Sequence, residues 1–510
     1  MQDLDSLTAA LRASADRFGP KPCLISPARS VSFALFARHV AAIAEGFRGL
    51  GIGSGDRVAL LDVDSIEYLE CLFALAAIGA IAVPLNYRQR SAELQYQVEN
   101  AGARLLLVSR RYAAEATVLG HGLALGSLPM EAFAAEAIAA GETGTLELQG
   151  VDGRTPYAIC YTSGTTGRPK GAVLEQRAAC LRAMRLMLEC GMRPSDVVHV
   201  TTPMFHISAL NMSLMAIMRG CTILVLPQFE LATTMRAMRQ YGVTFVALVP
   251  TMLALMRQSP DFAPGCFGSI RLILYAGAPM NPQLLRDVRS VYDGEFVQSF
   301  GQTEDLPQSI LTAEDHREAF ASGSPRLGSV GRPPIGVELS IRDAHGRTVE
   351  PGEIGEIVSR GGTAMRGYWN LPRETAETIR DGWVYSGDLG YRDADGFLYL
   401  AGRKRQMIIR GGENVYPAEV ERVLLSFPGI IDAAVIGIPD PVWGEIVAAA
   451  VVAESPLPTP DAVILHCKTL LASYRCPERV TFHSQLPYNA SGKVDRAVLR
   501  QQIESREREP

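Results

Sequence analysis

The sequence predicts an α/β protein with a large N-terminal body of βαβ-type sheets layered with helices, a small antiparallel, barrel-like subdomain, and a small α+β domain at the C-terminus. Three observations predict it. Short β-rich runs alternate with helical ones from residue 31 onward. Near residue 336 the texture changes to short strands broken by Asp-Gly, His-Gly and Pro-Gly turns. Beyond a charged stretch at 402–408, helix periodicity restarts at residue 416. A chain of 510 residues, 47% of them hydrophobic, exceeds what one core usually covers and has the apolar material for two or more domains.

In chain order, "VSFALFARHVAAIAEGFRGLG" (31–51), "DRVALLDVD" (56–64), "SIEYLECLFALAAIGA" (65–80) and "AIAVPLN" (80–86) read as strand and helix in turn. Strands separated by helices of this length point to parallel sheets covered on both faces. The apolar run "CLFALAAIGAIAV" (71–83) is too short to span a bilayer and stops at Pro84, so it reads as a buried helix running into a strand. "VTFVALVP" (243–250), "RLILYAG" (271–277) and "EFVQSFG" (295–301) repeat the strand pattern. "GVELSIRDAHGRTVEPGEIGEIVSRG" (336–361) and "DGWVYSGDLGYRDADGFLYLAGR" (381–403) give the antiparallel subdomain. In "YPAEVERVLLSFPGI", Pro417 sits at the first helical position, Glu419 in the first turn, and Val420, Val423, Leu424 and Phe427 on one face. The expected division is 1–403 and 404–510.

Composition excludes some classes of function. A net charge of −5 argues against a nucleic-acid-binding protein, which would concentrate a basic field on one face. Nine cysteines without a CxxC pair suggest neither a disulfide framework nor a zinc site, and a reducing cytoplasm fits best. The acidic start "MQDLDSLTAALRASADRFG" lacks the apolar core of a secretory signal. Composition leaves a homodimer and peripheral membrane contact open.

The densest chemical signal is "YTSGTTGRPKG" (161–171), in which Gly164, Gly167 and Gly171 alternate with Thr162, Ser163, Thr165, Thr166, Arg168 and Lys170. Backbone N–H groups in a glycine-rich turn can converge on phosphate oxygens, while hydroxyls add donors and the cations add charge. A Walker A loop is excluded, because Gly164 and Gly167 stand too close together and Gly171, not a hydroxyl residue, follows Lys170. A polar surface loop is the bland alternative.

With its surroundings, this stretch resembles the phosphate loop of the adenylate-forming superfamily, which contains acyl-CoA and aryl-CoA synthetases, firefly luciferase and the adenylation domains of peptide synthetases. The resemblance runs essentially end to end, through further motifs in order. In "PMFHI" (203–207) it implies that His206 borders the carboxylate pocket, although a lone histidine also suits a core. In "YAGAPM" (275–280) it implies that Gly277, Ala278 and Pro279 line the adenine and acyl side of the site. "FGQTE" (300–304) is similar to an aromatic-Gly-x-Thr-Glu motif. There Phe300 and Gly301 would face adenine, Thr303 would contact phosphate and Glu304 would hold Mg2+; phenylalanine keeps the stacking face of the usual tyrosine and loses its hydroxyl.

"YSGDLG" (385–390) and "GR" (402–403) resemble the ribose motif, with Asp388 offering two acceptor oxygens to a vicinal diol and Arg403 beside it. "KRQMIIRGGENVYPAEVE" (404–421) resembles the hinge, with Arg405 where relatives carry aspartate or lysine, and Gly411 and Gly412 at the thiol tunnel. "LPYNASGKVDR" (486–496) resembles the segment of the adenylation lysine, here Lys493. The resemblance implies a mobile C-terminal domain and the substrates ATP, coenzyme A and a small carboxylic acid, with Mg2+ as the metal. The implied catalytic set is Lys493, Thr166, Glu304 and His206.

The implied reaction has two halves. The acid attacks the α-phosphorus of ATP to give acyl-AMP and pyrophosphate, and CoA thiolate then displaces AMP. The apolar character of "HISALNMSLMAIM" (206–218) points to a medium- or long-chain fatty acid or similar hydrophobic acid. An aryl acid of benzoate or cinnamate type is the alternative. Also open are a non-CoA adenylating relative and a catalytically dead nucleotide-binding protein, the latter disfavoured by intact Lys493, Glu304 and Asp388.

Overall fold

The computed structural model describes residues 5–141, 151–162, 168–488 and 494–506. Among these, the strands gather into four sheets. An eight-stranded sheet runs in the order Asp305–Leu311, Glu295–Gln302, Leu272–Ala276, Phe245–Leu248, Val197–Val200, Thr222–Leu224, Pro22–Ile25, Ser30–Ser32. Its interior pairs are parallel and its two outermost pairs antiparallel. A seven-stranded sheet follows the order Gly367–Tyr368, Lys170–Glu175, Pro156–Thr162, Ile81–Pro84, Arg57–Leu61, Leu105–Val108, Ser127–Pro129. It too is parallel inside and becomes antiparallel at Lys170–Glu175 and Gly367–Tyr368.

The two large sheets share one core. Strand residues Val58, Leu60 and Leu105 of one sheet and Leu24, Val198 and Val297 of the other enclose a common layer of helices, among them Phe33–Gly49, Ile66–Ala77, Gln176–Glu189 and Ile207–Arg219. A helix with sheet on both sides must be apolar nearly all round. Accordingly every residue of Ile66–Ala77 except Glu67 is buried, and Ser65 starts the helix by accepting from the Tyr68 N–H at 3.1 Å. The greasy run at 71–83 is therefore a core helix turning into the strand Ile81–Pro84, as its length predicted.

The antiparallel expectation for 336–403 also holds. Glu338–Arg342, Gly355–Arg360, Trp383–Arg392, Ile379–Arg380 and Leu398–Arg403 form a five-stranded antiparallel sheet around Ile341, Ile357 and Leu398. From residue 408 a further sheet pairs the long strands Ile430–Asp440 and Gly444–Ala453 and carries its own cores on its two faces. The helix Pro417–Leu425 has proline at its first position and buries Val420 and Leu424 there. Between these units lies the 3-10 turn Lys404–Gln406, where Lys404 Nζ reaches Glu356 Oε2 at 2.8 Å and Arg405 is exposed.

All nine cysteines are unpaired and buried. Burial pushes their thiols up, to about 12 for Cys160, Cys180, Cys190 and Cys221 and to about 11 for Cys467. Among the described residues, no helix is long and apolar enough to cross a membrane.

Candidate active site

In open α/β sheets, ligands bind beyond the carboxyl ends of the parallel strands. Val200 pairs with Ala247, Leu248 with Tyr275, and Ala276 with Ser299, so four adjacent strands end side by side. The segments that leave them are those of His206, Val249–Pro250, Gly277–Pro279 and Gly301–Glu304. Sheet topology thus gathers motifs separated by a hundred residues of sequence.

His206 caps the helix Ile207–Arg219. Its Nδ1 accepts from the Ser208 N–H at 3.3 Å and stands 2.9 Å from Ser208 Oγ. A backbone donor needs a lone pair at Nδ1, which assigns the proton of the neutral ring to Nε2. Gly277 has φ +87°, a conformation that favours glycine, and opens the turn containing Ala278 and Pro279.

Thr303 and Glu304 form the tip of an antiparallel hairpin between Glu295–Gln302 and Asp305–Leu311. Gly301 is required there for space, since a Cβ would lie 2.7 Å from Leu306 Cβ. Phe300 is half-buried against the core of the antiparallel subdomain, beside Val330, Ile357 and Leu398.

The phosphate-loop stretch is also carried by a hairpin, with Thr162 opposite Lys170 and Thr162 Oγ1 donating to Lys170 O at 3.4 Å. Ser163, Gly164, Thr165, Thr166 and Gly167 lie outside the described residues, as does Lys493. Among the described residues on either side of Lys493, Tyr488 bridges to Val494 and the Asp495 N–H donates to Pro487 O at 2.7 Å.

A residue that sequence reasoning missed joins these pieces. The two-residue strand Gly367–Tyr368 pairs with Lys170–Glu175, which places Tyr368 opposite Ala172. From there the Tyr368 hydroxyl donates to Glu304 Oε1 at 2.5 Å, and Lys170 Nζ sits 5.1 Å from the Tyr368 ring centroid. Burial first, and then the negative charge of Glu304, push the Tyr368 phenol far above its ordinary value, so it stays a donor. Arg403 is near enough for its charge to pull the other way. Arg403 Nε in turn contacts Asp388 Oδ1 at 2.5 Å across a strand pair. Lys170 and Glu304 therefore meet at one tyrosine, and the arginine of the Arg403–Asp388 pair is near enough to act on it by charge.

Behind Glu304 stands a buried polar network that was also not legible. Asp305, 1% exposed, accepts from Ser359 Oγ and Thr363 Oγ1, each at 2.7 Å. Arg182, fully buried, donates Nε to Thr363 O at 2.8 Å, and Arg185 donates to Gly336 O at 2.7 Å and Gly361 O at 2.6 Å. The Met365 N–H donates to Glu304 O at 2.7 Å. The segment 361–368 thus holds Glu304 by its carbonyl and by its carboxylate, and the only sequence hint was an acid adjoining Glu304.

The donor set fits Mg2+. Glu304 is 8% exposed and Asp305 is already committed, and among the described residues no group of three His, Cys, Asp or Glu is arranged to hold a metal ion by itself. Mg2+ commonly takes one or two protein carboxylates and fills its octahedron with phosphate oxygens and water.

Comparison with known proteins places this arrangement. Residues 11–369 match the family model described as AMP-binding enzyme, and 419–493 that of the AMP-binding enzyme C-terminal domain. The chain is 36% identical over 477 residues to a feruloyl-CoA synthase from Amycolatopsis sp, covering 93% of this chain and 94% of the relative. It is 34% identical over 469 residues to the long-chain-fatty-acid–CoA ligase FadD13 of Mycobacterium tuberculosis, covering 90% of each. The o-succinylbenzoate CoA synthetase MenE of Bacillus subtilis, solved with its acyl-adenylate intermediate, superposes with TM-score 0.84 at 30% identity over 97% of both chains. From the order of its motifs, the sheets that carry them and these matches, the chain belongs to the AMP-binding enzyme family of adenylate-forming proteins.

Proposed function

We propose that the protein is an ATP-dependent acid–CoA ligase that converts a hydrophobic carboxylic acid to acyl-AMP and then to acyl-CoA. The observation that carries this reading is Tyr368, which joins a cation from the loop hairpin to a carboxylate suited to Mg2+, with Arg403, itself paired to Asp388, near enough to act on the phenol by charge. Adenylation brings a carboxylate onto a polyphosphate, so cations must be fixed where negative charge builds up. Lys170 and Arg403 supply fixed charge, Glu304 would hold Mg2+, Asp388 would accept from the ribose, and His206 Nε2–H would donate toward the acid. The bound metal would screen phosphate oxygens.

Lys493 would meet the nucleotide from the C-terminal unit, which on this reading spans 404–510 and turns about Arg405. Gly411 and Gly412 would border the thiol path. Movement is needed because the thiol must reach the carbon that the lysine has just approached. Nine unpaired cysteines favour a cytoplasmic, reducing setting.

The decisive experiment separates the half-reactions. Lys493→Ala should lower acid-dependent pyrophosphate release by at least a hundredfold, on the scale of one lost electrostatic partner, while sparing thioester formation from synthetic acyl-AMP. Equal loss of both, or no loss, would overturn the assignment. A panel of fatty and aryl acids, with and without CoA, decides the substrate class. The identity to a feruloyl-CoA synthase is the specific ground for the aryl alternative.

A further inference from the structure

Tyr368 has no role in the reading above except as a landmark, yet its contacts are specific. Its strand is stitched to the loop hairpin on both flanks, by the Arg366 N–H to Val173 O at 2.9 Å and the Trp369 N–H to Gly171 O at 2.7 Å. Its own N–H donates to Thr375 Oγ1 at 2.8 Å. The backbone is therefore held from three sides, and the hydroxyl is delivered to one oxygen of Glu304 rather than to the carboxylate as a whole. The Glu304 carbonyl is held separately by Met365, three residues earlier on the same segment.

A fixed donor on Oε1 takes up one of its lone pairs and draws off electron density, so the other oxygen, Oε2, becomes the better ligand for a metal. That matters for metal choice. Mg2+ demands a near-octahedral shell with short bonds, whereas Ca2+ accepts more ligands, longer bonds and bidentate carboxylates. Groups that hydrogen-bond a ligating carboxylate typically alter metal affinity by about 10- to 100-fold when removed. Resting on the proposed metal role of Glu304, we propose that Tyr368 is a positioning residue that confines Glu304 to single-oxygen coordination and so makes the nucleotide site prefer Mg2+ over Ca2+. The Lys170 ammonium over the ring ties this control to the phosphate hairpin, so that the loop cation and the metal carboxylate are set by one side chain.

The test reads binding, not turnover. The full-length protein is titrated with α,β-methylene-ATP in saturating Mg2+, in saturating Ca2+ and in EDTA, and the Mg2+-to-Ca2+ affinity ratio is the readout. Wild type should favour Mg2+. Tyr368→Phe keeps the ring against Lys170 and removes only the hydroxyl, so the ratio should fall about tenfold with the EDTA value unchanged. Glu304→Gln should abolish the metal advantage, and adding Tyr368→Phe to it should have no further effect.

If Glu304→Gln binds like wild type, the metal role of Glu304 fails and this inference falls with it. If Glu304→Gln loses the advantage but Tyr368→Phe keeps the wild-type ratio, only the inference is overturned. An equal loss of affinity in all three media would mean that Tyr368 is merely structural, which also overturns it. So does a wild type without Mg2+ preference.

Discussion

Asp388 and Arg403 face each other across the antiparallel strands Trp383–Arg392 and Leu398–Arg403, with Arg403 Nε 2.5 Å from Asp388 Oδ1. The arginine is the last residue of its strand and Lys404 opens the 3-10 turn that follows, so the ion pair stands at the edge of the antiparallel sheet's last strand. Asp388 N–H donates to Ser386 Oγ at 3.0 Å, which further fixes the acid.

If this acid receives the ribose, Asp388→Asn should weaken binding of α,β-methylene-ATP about tenfold, equivalent to ~1.4 kcal/mol. One acceptor oxygen becomes a donor, and the charge facing Arg403 is lost. Isothermal titration checks this against the thermal midpoint, which should move little. Unchanged affinity would remove Asp388 from the nucleotide site.

Two histidines make stability depend on pH. Burial lowers both His199 and His316 to about 4. His199 Nδ1 faces Leu224 O at 3.0 Å, and His316 stands 2.8 Å from Thr312 O through Nδ1 and 2.9 Å from Tyr275 hydroxyl through Nε2. In the unfolded chain each titrates near 6.5, so between about pH 6.5 and 4 the unfolded state binds more protons and stability falls as pH falls. From pH 6.5 to 5 each costs on the order of 1–2 kcal/mol. His316→Gln, which retains an acceptor for Tyr275, should show a smaller drop in thermal midpoint between pH 7 and 5 than wild type. An identical drop would exclude His316 as a contributor.

Gly411 and Gly412, at φ +58° and +89°, form the two-residue tip of the hairpin between Ile408–Arg410 and Glu413–Val415. Positive φ at both central residues is the pattern of a type I′ turn. A Cβ on Gly411 would lie 2.9 Å from Trp443 Cε3. If this tip lines the thiol path, Gly411→Ala should slow thioester formation from acyl-AMP roughly tenfold through ~1–2 kcal/mol of local strain and displacement. Pyrophosphate release in the first half-reaction should be unaffected. Equal slowing of both halves, or no slowing of the second, would dismiss the tunnel role.

Much of the fold was legible because periodicity and punctuation agreed. The helix Ile66–Ala77, the strand that follows it and the proline-started helix Pro417–Leu425 lie where the sequence predicts them. Pairing direction was less legible. Both the loop at 161–171 and the Thr303–Glu304 turn sit on antiparallel hairpins next to parallel strands, and alternation along one strand does not say which way its neighbour runs.

The helix Ile207–Arg219 is a second instance. Its apolar length suggested a hydrophobic substrate, but Ala209 through Ile217 are buried, most of them in the shared core, so packing accounts for that composition, and of its first residues His206 and Ser208 are half-buried. Tyr368 escaped notice because a two-residue strand has no period to detect. Its importance comes from where 367–369 pairs, which is tertiary information.

The sealed sulfurs carry a consequence for chemistry with thiol substrates. Exchange with a disulfide needs an accessible thiolate, and every cysteine here is enclosed, with its thiol pushed up by burial. An enzyme working among CoA and its oxidised dimers would then accumulate no mixed disulfide with the coenzyme while folded. Alkylating reagents would count the molecules that have lost their native packing.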